Sequence, residues 1–257
     1  MIRAPSPATL EEVRLKLGEI LKAKRLLDAP VSVLAVPLTP EEAIGHPQRR
    51  DFPIVEGKER VIEARVLGAK GHAFTDSPQD FSGTLQEIVE LPLTTNQNRA
   101  IFIAALNAAL RLLGEIEGTV HCRDEDPERC AEEIAAQALK TWGRVKVGLI
   151  GLNPAIAEGL VSVFGASNVR ITDLNRQTIG QEKFGVLIWD GREKTGQLIE
   201  QSEAVIITGT TLVNGTFDDI FHQIQEKKKK YLIYGVTSSG ICHLMGWERI
   251  CPYGRNE

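Results

Sequence analysis

Val145-Lys146-Val147-Gly148-Leu149-Ile150-Gly151-Leu152-Asn153-Pro154-Ala155 is the stretch on which the fold turns. Val145 to Ile150 reads as a strand and Ala155 opens a helix, so a glycine-bearing turn sits where a doubly wound fold offers backbone amides to a ligand. Downstream, Val169 to Thr172, Val186 to Ile188, Ala204 to Thr208 and Tyr231 to Tyr234 are further short β-rich runs. Several of the gaps between them have room for a helix. That alternation predicts a mostly parallel sheet with helices on both faces, a Rossmann-like α/β unit.

The first half has a different rhythm. Leu10, Val13, Leu17, Ile20, Leu21 and Leu27 recur at helical spacing within Thr9 to Leu27, and Val31 to Leu38 is a strand candidate. Glu41 to Gly57 shows no periodicity and reads as loop. Val61 to Leu67 and Gly71 to Thr75 read as two strands joined by a tight turn. Thr84 to Leu91 and Asn98 to Leu113 read as helices, the second with Ile101, Ala104, Ala105, Ala108, Ala109 and Leu112 along one face. Asp80 to Thr84 has turn and N-cap chemistry. Gly114 and Gly118 mark a hinge before a helix, Glu128 to Trp142, so an α+β domain over 1–113 and a Rossmann-like domain over 114–257 are expected.

Composition narrows the partners. The chain has 257 residues, 42% of them hydrophobic, and 30 basic against 34 acidic side chains. A slightly acidic chain with 5% aromatic residues lacks the basic stripe and stacking platform of nucleic-acid binders. No apolar run approaches the ~18 residues of a membrane span, and the first ten residues lack the apolar segment of a signal peptide. No nucleic acid, no membrane and a cytoplasmic location are therefore expected. A homo-oligomer is compatible with all of this. In a reducing compartment the four cysteines are of more interest as ligands than as staples.

Three groups of residues are candidates for chemistry. Gly148, Gly151 and Asn153 shape the first turn, and Asp173, 22 residues after Gly151, stands near the spacing of an acidic residue that holds ribose hydroxyls. The second and third glycines of G-x-G-x-x-G are missing, so a diphosphate fits poorly; the glycines read equally as packing devices. Thr208-Gly209-Thr210-Thr211-Leu212-Val213-Asn214-Gly215-Thr216 follows a strand and forms a polar nest, with Thr210, Thr211, Asn214, Gly215 and, from the next loop, Thr237 facing one pocket. Asn214 or Thr216 reads equally as the N-cap of a helix from Phe217. The Lys227 to Lys230 run reads as the solvated end of that helix.

The third group is the cysteines. His121-Cys122 precedes Cys130 by eight residues, and Cys242-His243 precedes Cys251 by nine. Neither spacing is that of a structural zinc site. Soft thiolates beside imidazoles nonetheless favour zinc, copper(I) or iron, and unrelated buried thiols are the plain alternative.

The Arg99 to Leu110 run, the Gly148 to Pro154 turn and the threonine-asparagine-glycine run together resemble a family of bacterial and archaeal proteins linked by name to heavy-metal chelation. The resemblance implies an N-terminal domain similar to that of enolase, a Rossmann-like domain and a pocket between them, without enolase catalysis. Two functions follow. One is binding of a soft metal, or a metal-bearing small molecule, through Cys242, His243 and Cys251, joined by Cys122 and Cys130. The other is an enzyme using a nucleoside-containing cofactor, S-adenosylmethionine before NAD, with Asp173 on the ribose.

Overall fold

The computed structural model describes residues 6–34, 39–49, 51–52 and 59–257. The first half comprises α1 (Ala8–Ala23), β1 (Pro30–Leu34), α2 (Pro40–Ile44), β2 (Arg60–Val66), β3 (Ala69–Thr75), β4 (Phe81–Thr84), α3 (Leu85–Glu90) and α4 (Asn96–Leu112). Its antiparallel sheet runs β3-β2-β1-β4. Val66 pairs with Ala69, so the hairpin turns on Leu67 and Gly68, both at positive φ (46° and 91°). That geometry matches the twist of the strands it joins.

Two expectations for these strands and loops need correction. Glu41 to Gly57 is not all loop, because Thr39 and Glu42 form a capping box that starts the short α2. Phe81–Thr84 is a strand against β1, and Thr84 also caps α3. Residues 35–38 of the expected first strand, and Arg50, Glu56 and Lys58, lie outside the described residues.

α4 is buried all round rather than along one face: every residue from Arg99 to Leu110 is buried. It lies on β2 and β3 and also packs against α8 and α10 of the second half. Its alanines allow both approaches. Gly71 is where β3 touches it, since a Cβ there would collide with the backbone of Ala104 and Ala108. Gly71→Ala is expected to lower stability by about 3 kcal/mol, read as a reduced urea midpoint.

The second half comprises α5 (Asp126–Trp142), β5 (Val147–Ile150), α6 (Pro154–Phe164), β6 (Val169–Asp173), β7 (Glu182–Lys183), β8 (Val186–Asp190), α7 (Gly191–Gln201), β9 (Ala204–Thr208), α8 (Thr210–Asn214), α9 (Phe217–Glu226), β10 (Lys230–Tyr234), α10 (Ser239–Met245) and β11 (Arg249–Ile250). Its sheet is ordered β11-β10-β9-β5-β6-β8-β7. All neighbouring pairs are parallel except β7 with β8. The fold is thus mixed α/β with a mostly parallel sheet, as expected.

Alternate residues of β9 serve different cores. Val205 and Ile207 join α1, α4, α9 and α10 on one face, whereas Ala204 and Ile206 join α5 and α6 on the other. The polar loops foreseen after β9 and β10 are in fact short helices: α8, then a 3-10 turn over Val236–Ser238 leading into α10. Thr216 precedes α9 without a side-chain capping bond; Asn214 Oδ1 instead accepts from the Thr216 amide and hydroxyl.

Candidate functional site: a cleft at the sheet's C-terminal edge

The strand order reverses direction between β5 and β9, and there the loops after the parallel strands splay apart. A cleft of about 1090 Å³ opens at this edge, lined by Gly151, Asp173, Thr208, Tyr234 and Cys251 from the sheet side. Phe74, Asp76, Asn96 and Glu59 contribute from the first half, with Ile44, Asp51 and Phe52.

The β5–α6 turn is spent on itself. Gly151 adopts φ 87°, and its bare Cα lets the Thr208 side chain come close. Asp173 Oδ2 accepts from the Leu152 amide at 3.0 Å and Oδ1 from the Asn175 amide at 2.8 Å. Asn153 Oδ1 caps the amides of Ala155 and Ile156, and Pro154 has none to give. The Leu152, Ala155 and Ile156 amides of this helix start are therefore already engaged, which is the physical content of the missing glycines.

Thr210, Thr211, Asn214 and Thr237 all line the cleft. Thr210 Oγ1 lies 3.1 Å from Thr208 Oγ1, and Thr237 Oγ1 accepts from the Phe74 amide at 3.1 Å, tying the two halves together. Gly148 and Gly215 stand behind the cleft: Gly148 makes room for Leu198 and Ser202, and Gly215 for the Arg99 guanidinium.

The fold regroups the cysteines. Val120 and Arg255 exchange backbone hydrogen bonds of 2.8 and 2.7 Å, which lays the C-terminal tail along residues 119–122. On the other side, the His72 amide donates to Thr119 O at 2.9 Å, and His72 Nδ1 accepts from the His121 amide at 3.2 Å. Cys122 and Cys251 are thereby carried to Cys130 on α5, and the three thiols form a row on the cleft wall with Cys130 in the middle, interacting with both. At one end, Cys122 Sγ lies 3.9 Å from His121 Nε2. All four cysteines are free thiols. The Cys122 neighbour, then burial, pushes the Cys130 thiol up to about 12, with Cys251 acting against this. Cys130 and burial hold Cys251 well above its ordinary value.

Cys242 and His243 are elsewhere. Cys242 is buried in the core that contains α4, on the opposite face of the sheet from Cys130, and burial pushes its thiol up to about 12. His243 stands 3.7 Å from Glu115. The sequence pairing of Cys242 and His243 with Cys251 gives way to Cys251 with Cys130. Among the described residues, no three His, Cys, Asp or Glu side chains are arranged to hold a metal ion.

Two lining residues, Glu59 and Tyr234, had no signal in the sequence. Burial, with the charges of Asp173 and Asp76, pushes the Glu59 carboxyl up to about 7, against the pull of His121. Tyr234 donates to Gly151 O at 3.3 Å, and burial keeps its phenol protonated. His121 packs edge-on to Phe74, ring centroids 5.0 Å apart.

Behind His121, the proton of the buried His72 faces Glu63 from Nε2, at 3.1 Å, because Nδ1 is an acceptor. Burial alone would raise the Glu63 carboxyl, but hydrogen bonds from His72 and Arg65 bring it down to about 2. A carboxylate depressed below its unfolded value of 4.5 adds stability above that value and loses it as pH falls towards 2. His72, lowered chiefly by burial, works in the same direction, because the unfolded chain takes up its proton first. Wild type is expected to lose about 2 kcal/mol on acidification through this pair, after screening of the half-exposed Arg65, and Glu63→Gln to flatten that slope. Urea unfolding at stepped pH checks it.

Residues 135–245 match the DUF364 family model. That model is described as "Putative heavy-metal chelation". The DUF364 segment runs from mid-α5 to the end of α10, so it includes Cys242 and His243 but not Cys122, Cys130 or Cys251. A solved DUF364 protein of unknown function from Pyrococcus horikoshii is similar over 90% of this chain and 80% of its own, at 15% identity and a TM-score of 0.53. Another from Desulfitobacterium hafniense, also of unknown function, aligns over 73% of this chain and 72% of its own, at 11% identity and a TM-score of 0.48. The first likeness extends the shared fold beyond the DUF364 segment. No curated protein matches the chain.

Proposed function

We propose that the cleft binds a small molecule carrying a soft metal, and that the thiol row supplies one or two ligands to that metal. The observation that carries this reading is the convergence of Cys122, Cys130 and Cys251 on the wall of one large cleft. Thiolates suit zinc, copper(I) or iron. A bare ion is poorly served, because among the described residues no three protein ligands surround one point. A chelate brings its own donors and needs only an open position filled.

Size and lining agree with such a ligand. About 1090 Å³ is the volume of an organic ligand's pocket rather than of an ion's cage. Thr210, Asn214 and Thr237, with Thr208 and Asn96, give the organic part hydroxyl and amide partners. The heavy-metal description of the DUF364 segment points the same way, although the thiol row lies outside that segment.

The test is elemental analysis of anaerobically purified protein, with mass spectrometry of the small molecules released on denaturation. The expected result is about one soft metal per chain, co-released with an organic partner. Protein free of both, or an unchanged metal content when Cys122, Cys130 and Cys251 are all replaced by Ser, overturns the reading.

A further inference from the structure

Residues 119–122 run beside β3 as the beginning of a parallel pair. The His72 amide donates to Thr119 O at 2.9 Å, and Thr119 Oγ1 donates to Lys70 O at 2.7 Å. Bonds in a parallel ladder are slanted, so the next one would run from the His121 amide to the His72 carbonyl. That carbonyl is occupied by Asn107 Nδ2 at 3.0 Å. The His121 amide donates instead to His72 Nδ1, at 3.2 Å. A side chain thus stands in for a backbone acceptor at the residue before Cys122.

Only one form of the ring can do this. An Nδ1 that faces an N–H is a bare acceptor, which puts the proton on Nε2, and there Glu63 Oε2 receives it at 3.1 Å. Arg65 Nε holds Glu63 in turn, at 2.6 Å. His72 and Glu63 are both buried, so bulk water does not compete for these bonds. At the other end of the chain of contacts, the His121 ring meets the edge of Phe74 with centroids 5.0 Å apart. His121, Cys122 and Phe74 all line the cleft.

We propose that His72 is a positioning residue of the cleft. Held by Glu63 in its Nε2–H form, it fixes the His121 amide, and with it the direction from which the His121 ring and the Cys122 side chain reach the cleft wall. His72 itself touches no ligand. The inference rests on the chelate reading for the ligand that benefits, and on the metal-free protein for the geometry.

Two substitutions each keep one end of the imidazole. Asn carries an amide at the position of Nδ1 and keeps the acceptor for His121, whereas Gln carries one at the position of Nε2 and keeps only the link to Glu63. The experiment is NMR of the full-length, metal-free protein, followed by titration with cadmium held in a small hydroxylated chelator. In wild type the His72 ring nitrogens are expected to report a bare Nδ1 and a protonated Nε2. In His72→Gln, exchange of the His121 amide is expected to quicken at least about tenfold relative to the core amides of α4. The His121 ring signals are expected to leave the position set by Phe74, and affinity for the cadmium chelate to fall about tenfold. His72→Asn is expected to restore all three, although it gives up the Glu63 bond. A proton on Nδ1 in wild type, or an unchanged His121 amide and ring in His72→Gln, overturns the assignment. So does an equal loss of affinity in both variants, in step with their urea midpoints. A wild type that binds no cadmium chelate removes the chelate reading instead, and the His121 signals still decide the role of His72. The wild-type ring nitrogens decide it where both variants fold poorly.

Discussion

Replacing Asn107 by Leu is expected to cost about 3–5 kcal/mol of folding stability, a large fraction of the ~5–15 kcal/mol that holds a typical domain together. Asn107 is 0% exposed at the middle of α4. Its Nδ2 donates to His72 O at 3.0 Å and Val236 O at 3.1 Å, and its Oδ1 accepts from the Gly240 amide at 2.8 Å. One side chain thus joins β3 of the first half to the turn and helix after β10. Val236 O keeps a second donor in Ser239 Oγ, so the replacement strands chiefly the His72 carbonyl and the Gly240 amide. Leu has the same branched skeleton of four side-chain heavy atoms, so the replacement opens no cavity and the loss it reports is polar together with the crowding of two methyl groups. Urea denaturation reads the effect; a loss below about 1 kcal/mol would mean that these groups find other partners.

The second large effect concerns the site. Cys130→Ser is expected to weaken binding of a cadmium chelate about 100-fold, followed by the thiolate-to-cadmium absorption band. The size follows from dividing the ~10–16 kcal/mol of four-ligand zinc sites by their ligands, which leaves about 3 kcal/mol for each. Cys242→Ala is expected to leave that affinity unchanged, because Cys242 lies across the sheet from the cleft. The raised thiols add a pH signature. Cys130 is held protonated up to about 12, so a metal must displace its proton, and wild-type affinity is expected to climb with pH, about tenfold per unit for each thiol ionised. A pH-independent affinity would mean that the bound sulfur was already a thiolate.

How much of this could be read in advance depends on the range over which each feature is determined. The β5–α6 turn is local. A β-rich run, an asparagine and a proline at a helix's first position fix it within eleven residues, and the structure adds only that the asparagine occupies the amides a phosphate would need. α4 was recognisable as a helix but not as a central one. Alanine is weakly apolar, so a helix that packs small residues on two sides shows the same periodicity as one that packs on one side. The short α2, α8 and α10 fall below the length at which periodicity is visible, and the Thr, Ser and Gly within α8 and α10 argue for loop on propensity alone.

The cysteines show the limit most plainly. Spacing groups Cys122 with Cys130 and Cys242 with Cys251, because spacing sees only neighbours along the chain. The pairing that matters is made by the Val120–Arg255 bridge, which brings the tail back beside the segment after the hinge. Period-2 alternation along β9 then explains why Cys242 cannot join them: the helices packed on Val205 and Ile207 lie on the other side of the sheet from those packed on Ala204 and Ile206.

X-ray absorption at the cadmium edge tests the central claim most directly, with the reduced protein loaded with one equivalent of cadmium held in a small hydroxylated chelator. A mixed first shell is predicted, with one or two sulfurs at direct-bond distance and the remaining positions filled by the chelator's oxygen and nitrogen. A shell without sulfur, or one unchanged when Cys122, Cys130 and Cys251 are replaced by Ser, would contradict it.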